Sequence, residues 1–431
     1  MSKYEHSVYL DASKCNGCTT CLKHCPTEAI RIRDGHAVID HERCIDCGEC
    51  IRLCPNSAKK AKCSELSALD GFKWKIALPA PALYTQFDNL DNVNLVLDGL
   101  LKIGFDDVFE VSAAAEIVSA YTKHYLENSN MEKPVINSAC PAIVRLITLR
   151  FPSLKNNILN ILPPMEIAAG MARERAKKFH PELKDEEIGV CFISPCPAKA
   201  SYVNNGFADY KSKVDHVISI KDIYFKLLSV MKSKSEVNTL ADSGVIGVCW
   251  AATGGEATAI FQDDYLAADG IDNCIKVLDQ IENENISNVN FVELNACTGG
   301  CVGGVLAVEN PYVAKARLRG MRRYMPFSKH FIPQEDIASV PSELLFSEFP
   351  HYDPITRLSP SLIQSMWMMS EINKIREDLP GIDCGSCGAP TCRAFAEDIV
   401  KGQASVEDCP IKFYRKLKEK AENDSSRNSE E

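Results

Sequence analysis

No stretch of this sequence stays apolar long enough to cross a bilayer: the runs near Ile76 and Ile161 are short and broken by prolines. Residues 1–15 are polar and acidic and lack the apolar core of a secretory signal, so the expectation is a cytoplasmic chain without a membrane partner. Positive charge is in deficit too, 48 Lys and Arg against 58 Asp and Glu for a formal charge of −10, which removes the footprint of a nucleic-acid binder. Widespread disorder is excluded by a hydrophobic fraction of 45%, enough for one large core and small satellite domains in 431 residues. Cysteine is what the sequence has in excess, 20 in all. Where thiols stay reduced, and in a chain too long for a disulfide scaffold, metal is the leading explanation.

An internal repeat dominates residues 1–65. Cys15-x2-Cys18-x2-Cys21-x3-Cys25-Pro26 recurs 29 positions later as Cys44-x2-Cys47-x2-Cys50-x3-Cys54-Pro55. Three thiolates so spaced wrap one face of a cubane, while the fourth, before proline, reaches the other cluster. Cys15, Cys18, Cys21 and Cys54 are thus expected to bind one 4Fe-4S cluster, and Cys44, Cys47, Cys50 and Cys25 a second. The alternative, a pair of zinc knuckles, is disfavoured by four cysteines and a proline in each copy. The unit resembles the bacterial two-cluster ferredoxins, which implies an α+β fold and an electron-relay role.

A third set follows an amphipathic stretch over 362–379: Cys384-x2-Cys387-x4-Cys392, then Cys409-Pro410. Four thiolates suit one-electron iron–sulfur chemistry better than structural zinc, which stays as the alternative. The pattern resembles the small helical 4Fe-4S domain of several anaerobic redox proteins and defines a unit over 361–415. Residues 416–431, charged and almost without apolar side chains, are expected to form a disordered tail.

Between these units, residues 71–350 alternate short β-rich runs at 74–78, 108–111, 135–137, 188–193, 245–248 and 289–294 with longer helical patterns, an α/β rhythm of parallel or mixed sheets flanked by helices. Cys140, Cys196, Cys297 and Cys301 each follow a strand, where open α/β sheets place their sites. Gly299, Gly300, Gly303 and Gly304 permit a tight loop close to something bulky. Cys191, Cys249 and Cys274 lie inside apolar runs and read as small core residues, and Cys63 as a spare.

The segments Asn-Ser-Ala-Cys140-Pro, Ser-Pro-Cys196-Pro-Ala-Lys199 and Ala-Cys297-Thr-Gly-Gly-Cys301-Val-Gly-Gly resemble, in order, the three active-site signatures of the FeFe-hydrogenases. The resemblance runs from Lys75 to about Gly304. It implies that Cys140, Cys196, Cys297 and Cys301 hold the cubane of an H-cluster, and that Cys301 bridges to a two-iron subsite carrying CO, CN and a bridging dithiolate. Lys199 matches the lysine that pairs with a cyanide ligand, an ammonium beside an anion in a dry pocket. Ala80 and Pro81 resemble the Ala-Pro segment lining the subsite, although a proline-rich strand end is a purely structural alternative.

The sequence departs from catalytic members where they move protons. Ala139 stands in place of the cysteine that passes protons to the dithiolate, and loss of a positioned acid or base costs roughly 10²- to 10⁴-fold in rate. The serine farther along the relay aligns with Leu159, and its glutamate-bearing helix with Tyr121 and Thr122, after Ala115 and Glu116. Ser194 and Asn295 replace two methionines beside the subsite, altering hydrogen bonding and redox poise. These departures resemble the sensory branch of the family, with the C-terminal four-cysteine domain where a PAS domain often follows. The expectation is a slow, hydrogen-sensing hydrogenase of an anaerobe, with three accessory 4Fe-4S clusters. Its partners would be H2 and protons, a redox protein such as ferredoxin and a downstream signalling protein. The rivals are an electron-transfer or scaffold protein that never receives the two-iron subsite, and a metabolic hydrogenase with a different proton path.

Overall fold

The repeat folds as four short strands, β1 (Val8–Leu10), β2 (Ile30–Arg33), β3 (His36–Ile39) and β4 (Lys59–Ala61), paired antiparallel as β1 with β4 and β2 with β3. The third cysteine of each copy sits on a one-turn helix, Thr20–Lys23 or Glu49–Arg52. Its apolar interior is small, with Cys21, Leu22, Ile30 and Ala37 at the centre, so what the cysteines bind contributes much of its stability. The computed structural model describes residues 4–129, 131–206, 210–231, 237–347 and 358–427, with backbone alone for 421–427.

Seven further strands build two parallel sheets: β5 (Trp74–Pro79), β6 (Asp107–Val108), β7 (Val135–Ile136), β8 (Ile188–Ser194), β9 (His216–Ser219), β10 (Tyr265–Asp269) and β11 (Phe291–Asn295). Their spatial orders are β6-β5-β8-β9 and β10-β11-β7. β8 is buried along its whole length, as a parallel strand covered on both faces must be. Its side chains alternate between two layers: Val190 and Phe192 join Ile76 and Leu78 under the helices Val111–Asn128 and Pro164–Phe179. Cys191 and Ile193 join Ala77 under Asn94–Lys102 and Ile220–Met231. Cys191 is thereby a core side chain. In the second sheet Ile136, Val292 and Leu294 pack on the helices Pro141–Arg150 and Ile271–Glu282.

Two expectations are corrected here. The run at 245–248 is not a strand but the helix Val245–Cys249. Four apolar residues carry no periodicity that separates the two, and here tertiary contact decides. The Val245 and Ile246 amides donate to the carbonyls of Pro326 and Phe327, and a Cβ on Gly247 would lie 1.9 Å from the Ser112 carbonyl oxygen, so the helix packs at backbone distance. The tail is not disordered from 416, because the helix Pro410–Arg427 runs through it. Lys, Glu and Ala are strong helix formers and Pro410 occupies the first turn, so this exposed helix forms without a core of its own. Residues 428–431, and the domain boundary near Tyr352 and Pro354, lie outside the described residues. Among the described residues no helix is long and apolar enough to cross a membrane.

Candidate metal centres

The carboxyl ends of β7, β8 and β11 point four cysteines at one another. Cys140 and Cys196 are the N-cap residues of Pro141–Arg150 and Pro197–Asn205, each followed by a proline at the first helical position. Cys297 follows β11, and Cys301 opens a single 3-10 turn, Cys301–Gly303, after Gly299 and Gly300, both at positive φ. The four thiols fall within each other's electrostatic reach. Burial, then the Cys140 and Cys301 thiols, push Cys196 up to about 12, with Lys199 opposing. Burial also raises Cys297 and Cys301. Thiols so disposed become thiolates only against a metal charge.

Lys199 belongs to the same group. Its ammonium lies 5.5 Å from the centre of the Phe192 ring, lowers Cys196 and Cys301, and has no hydrogen bond or ion pair among the described residues. Ala80 and Pro81 sit at the adjoining end of β5, where the Ala80 amide donates to the Ile193 carbonyl at 3.2 Å. Ser194 points its hydroxyl at the Cys196 backbone, donating to its carbonyl and accepting from its amide, both at 3.1 Å, and so shapes that loop. Ala139 is half-buried and Leu159 lies in the apolar core. Tyr121 and Thr122 are on Val111–Asn128, and the Glu116 carboxylate is taken up by the Gly244, Lys329 and His330 amides and the Ser328 hydroxyl.

Sequence reasoning missed two carboxyls beside this cage. Glu256, just after Gly254 and Gly255, accepts from Asn137 Nδ2 at 2.8 Å. Glu293, the charge inside apolar β11, accepts from the Gly254 and Ala257 amides at 3.0 and 2.8 Å and from Asn295 Nδ2 at 2.7 Å. Both are buried. Burial first, and the Glu293 charge second, lift the Glu256 carboxyl well above the usual range, with Lys199 opposing; burial likewise raises Glu293. Two such carboxyls cannot both ionise cheaply, so the pair keeps a proton. The signal available beforehand was a lone acid within a strand otherwise apolar.

Twelve further cysteines surround three cavities. Cys15, Cys18, Cys21 and Cys54 line one with Leu10, Ile32 and Ala37. Cys25, Cys44, Cys47 and Cys50 line a second with Ile30, Ile39 and Ile45. Cys384, Cys387, Cys392 and Cys409 line a third with Leu379 and Phe395. Amides of Ala29 and Ala58 donate to Cys25 and Cys54 Sγ, each at 3.2 Å. The donor sets fit 4Fe-4S cubanes. So does Lys59, 3% exposed on the wall of the first cavity, whose ammonium has no hydrogen-bond partner among the described residues. A buried cation without a partner is costly unless an anion faces it, and a thiolate-ligated cluster is one. Replacing Lys59 by Met should therefore lower the reduction potential of the nearer cluster, since the cation favours the more negative reduced form; a potentiometric titration followed by EPR checks the sign. Cys63 and Cys249 are half-buried, and Cys274 donates to the Asn295 carbonyl from within the core.

Residues 73–265 and 261–305 match the family model for the iron only hydrogenase large subunit, C-terminal domain. The chain belongs to this hydrogenase family. Residues 7–55 match a 4Fe-4S dicluster domain and 379–411 an Fe-S cluster domain. Among curated hydrogenases, Iron hydrogenase 1 of Clostridium pasteurianum is 25% identical over 314 residues, 57% of this chain and 53% of that protein. The NADP-reducing hydrogenase subunit HndD of Solidesulfovibrio fructosivorans is 23% identical over 265 residues, 48% of this chain and 44% of that one. This hydrogenase-family chain thus spans about half the length of these relatives. Two solved hydrogenases, HydA(deltaEFG) and HydA1 of Chlamydomonas reinhardtii, each align at a TM-score of 0.48, with 17% and 16% identity, over 64% of this chain and 93% of theirs.

Proposed function

We propose that this protein interconverts H2 with protons and electrons slowly, in a hydrogen-sensing role, at an H-cluster held by Cys140, Cys196, Cys297 and Cys301. The observation that carries the reading is the convergence of these thiols beside Lys199, an ammonium with no hydrogen bond or ion pair among the described residues. When bound, the group supplies an open iron position that polarises hydrogen and a cubane that exchanges electrons. Lys199 would hold an anionic ligand of the subsite, Ala80 and Pro81 would line it, and Cys301 would join its two parts. Ser194 fixes the turn that presents Cys196, and Asn295 orients Glu293.

Proton movement distinguishes this chain. The methyl of Ala139 and the apolar Leu159 neither accept nor donate protons, which supports low turnover by the usual route. Glu256 and Glu293 provide another: the Glu293 carboxylate is bonded to the Gly254 amide, and Gly254 lines a solvent cleft with Thr253 and Thr258. A proton entering there can be held by Glu293, then by Glu256, beside the cysteine cage.

Infrared spectra of the matured protein, under hydrogen and under inert gas, test the reading. Carbonyl and cyanide bands that shift with hydrogen are expected; a spectrum without them leaves an iron–sulfur scaffold. Ala139→Cys by itself should restore little hydrogen evolution, because Leu159 still interrupts that path; turnover typical of a metabolic enzyme in this variant would overturn the sensory assignment.

A further inference from the structure

The sequence leaves open whether electrons leave the H-cluster domain towards the ferredoxin-like unit, the C-terminal cysteine site, or both. From the way the units dock, we infer that the four cysteine sites form one linear electron route whose outer end is the C-terminal site, and that this end receives an acidic one-electron carrier protein. The inference rests on the hydrogenase reading only for the identity of the inner end.

Three junctions set the order. At the innermost, a Cβ on Gly48 would lie 2.6 Å from Val305 Cγ2, and Arg52 donates to the Gly303 carbonyl at 2.8 Å, two residues past Cys301. Cys47 and Ile45 pack in the same core as Cys140 and Cys196, and Arg145, on the helix that Cys140 caps, donates to the Cys44 carbonyl at 2.8 Å. The Cys25, Cys44, Cys47 and Cys50 site therefore adjoins the cage. At the middle junction Cys21 and Cys50 share one small apolar cluster and lie within electrostatic reach.

The outermost junction joins the C-terminal unit to the repeat along β2, with further contacts from Thr391 to Glu28 and from Glu397 to Arg43. Arg31 donates to both carboxylate oxygens of buried Asp398, at 2.7 and 3.1 Å, and Arg33 to one of them at 2.6 Å, while Arg43 pairs with Glu397. The Ile32 amide donates to the Gly388 carbonyl at 2.8 Å. Gly385, next to Cys384, lies against Leu22 and Lys23, the two residues after Cys21; a Cβ there would be 3.3 Å from each side chain. The third site thus abuts the Cys15, Cys18, Cys21 and Cys54 site. Desolvated arginine–carboxylate pairs fix such a geometry firmly.

The outer surface suggests the partner. Immediately after Cys409 the exposed helix carries Lys412, Arg415, Lys416, Lys418 and Lys420 against Glu419 over residues 410–420, with Lys412 paired to Asp378 and Lys416 to Glu407, in a chain of net charge −10, and Phe413, Tyr414 and Leu417 are exposed between them. Apolar contacts ringed by cations suit an acidic protein. Each carrier arriving is oxidised by one electron as the C-terminal site is reduced, and two such deliveries reduce two protons to H2 at the inner end; hydrogen oxidation runs the same route outward.

The test uses the full-length chain carrying its iron–sulfur clusters, without need of the two-iron subsite. Reduced native protein should show dipolar broadening between the C-terminal and repeat clusters in EPR. Asp398→Lys, and independently Arg31→Gln with Arg33→Gln, should lose that broadening at unchanged iron content, whereas Cys301→Ser should keep it. In stopped-flow mixing with a reduced two-cluster ferredoxin, the undocked variants should lose the fast phase of cubane reduction, which high salt should also suppress in the native chain; reduction by dithionite should stay unaffected. Broadening that survives both docking variants at full iron content, or a fast phase that survives them, would overturn the linear order. Failure of the hydrogenase reading would instead appear as missing infrared bands with these couplings intact.

Discussion

Glu256→Gln should lower hydrogen turnover by about 10²- to 10⁴-fold, the usual effect of removing a positioned acid or base, while the infrared bands of the loaded protein stay in place. The amide keeps the side chain's shape and an oxygen for Asn137 Nδ2, so the change isolates proton exchange from folding. The pH profile supplies the second readout. Because burial and the Glu293 charge raise the Glu256 carboxyl, the proton it holds is retained through neutral pH and lost on the alkaline side, where native turnover should decline; in Glu256→Gln that limb should vanish. The same sign governs stability: a carboxyl whose folded pKa is raised contributes fully below its unfolded pKa, and that contribution is lost as pH rises through the folded value. Native protein should therefore lose more stability towards alkaline pH than Glu256→Gln does. Unchanged hydrogen evolution in the variant would place the proton path elsewhere.

Gly304→Ala should empty the cage and leave the other three sites filled. A Cβ at Gly304 would lie 2.2 Å from the carbonyl oxygen of Pro195, the residue before Cys196, and Leu306 donates its amide to that same oxygen at 3.0 Å. The clash therefore drives the Cys297–Cys301 loop away from the Cys196 turn at the point where the two must meet. Overpacking of this kind costs about 1–3 kcal/mol, and iron analysis should find the loss confined to the H-cluster domain. Gly320→Ala is the matched control: the Cβ meets nothing within 4 Å at an exposed position of the helix Pro311–Met321, and alanine there should be neutral or slightly stabilising. Equal iron content in the two variants would show that the loops tolerate separation.

The cysteine groupings were legible in the sequence because ligand spacing is a local property: a turn, a short helix and a proline bring three sulfurs of each repeat together whatever surrounds them. The strand ends at Cys140, Cys196 and Cys297 were legible for the same reason, each following a β-rich run. What was not legible depends on distant partners. Glu256 and Glu293 are 37 residues apart in sequence, and only the fold makes them neighbours of each other and sets Glu256 near Lys199. Lys59 reads as one more lysine among charged neighbours until β4 places it at a cavity wall. The run at 245–248 became a helix because of carbonyls some 80 residues later, and the tail became one because helix propensity needs no core.

An exchange of fourth ligands between the two repeats, as the cysteines lining the two cavities imply, would dictate when each site can be finished on the ribosome. With the sets that line the cavities, Cys25 would wait for Cys44, Cys47 and Cys50, and Cys54 would complete the set begun at Cys15, so that no cubane of the repeat would close while only its first copy has been translated. The cage would wait for Cys301 and the C-terminal site for Cys409, so the nascent chain would acquire its iron sites from the amino-terminal end onward.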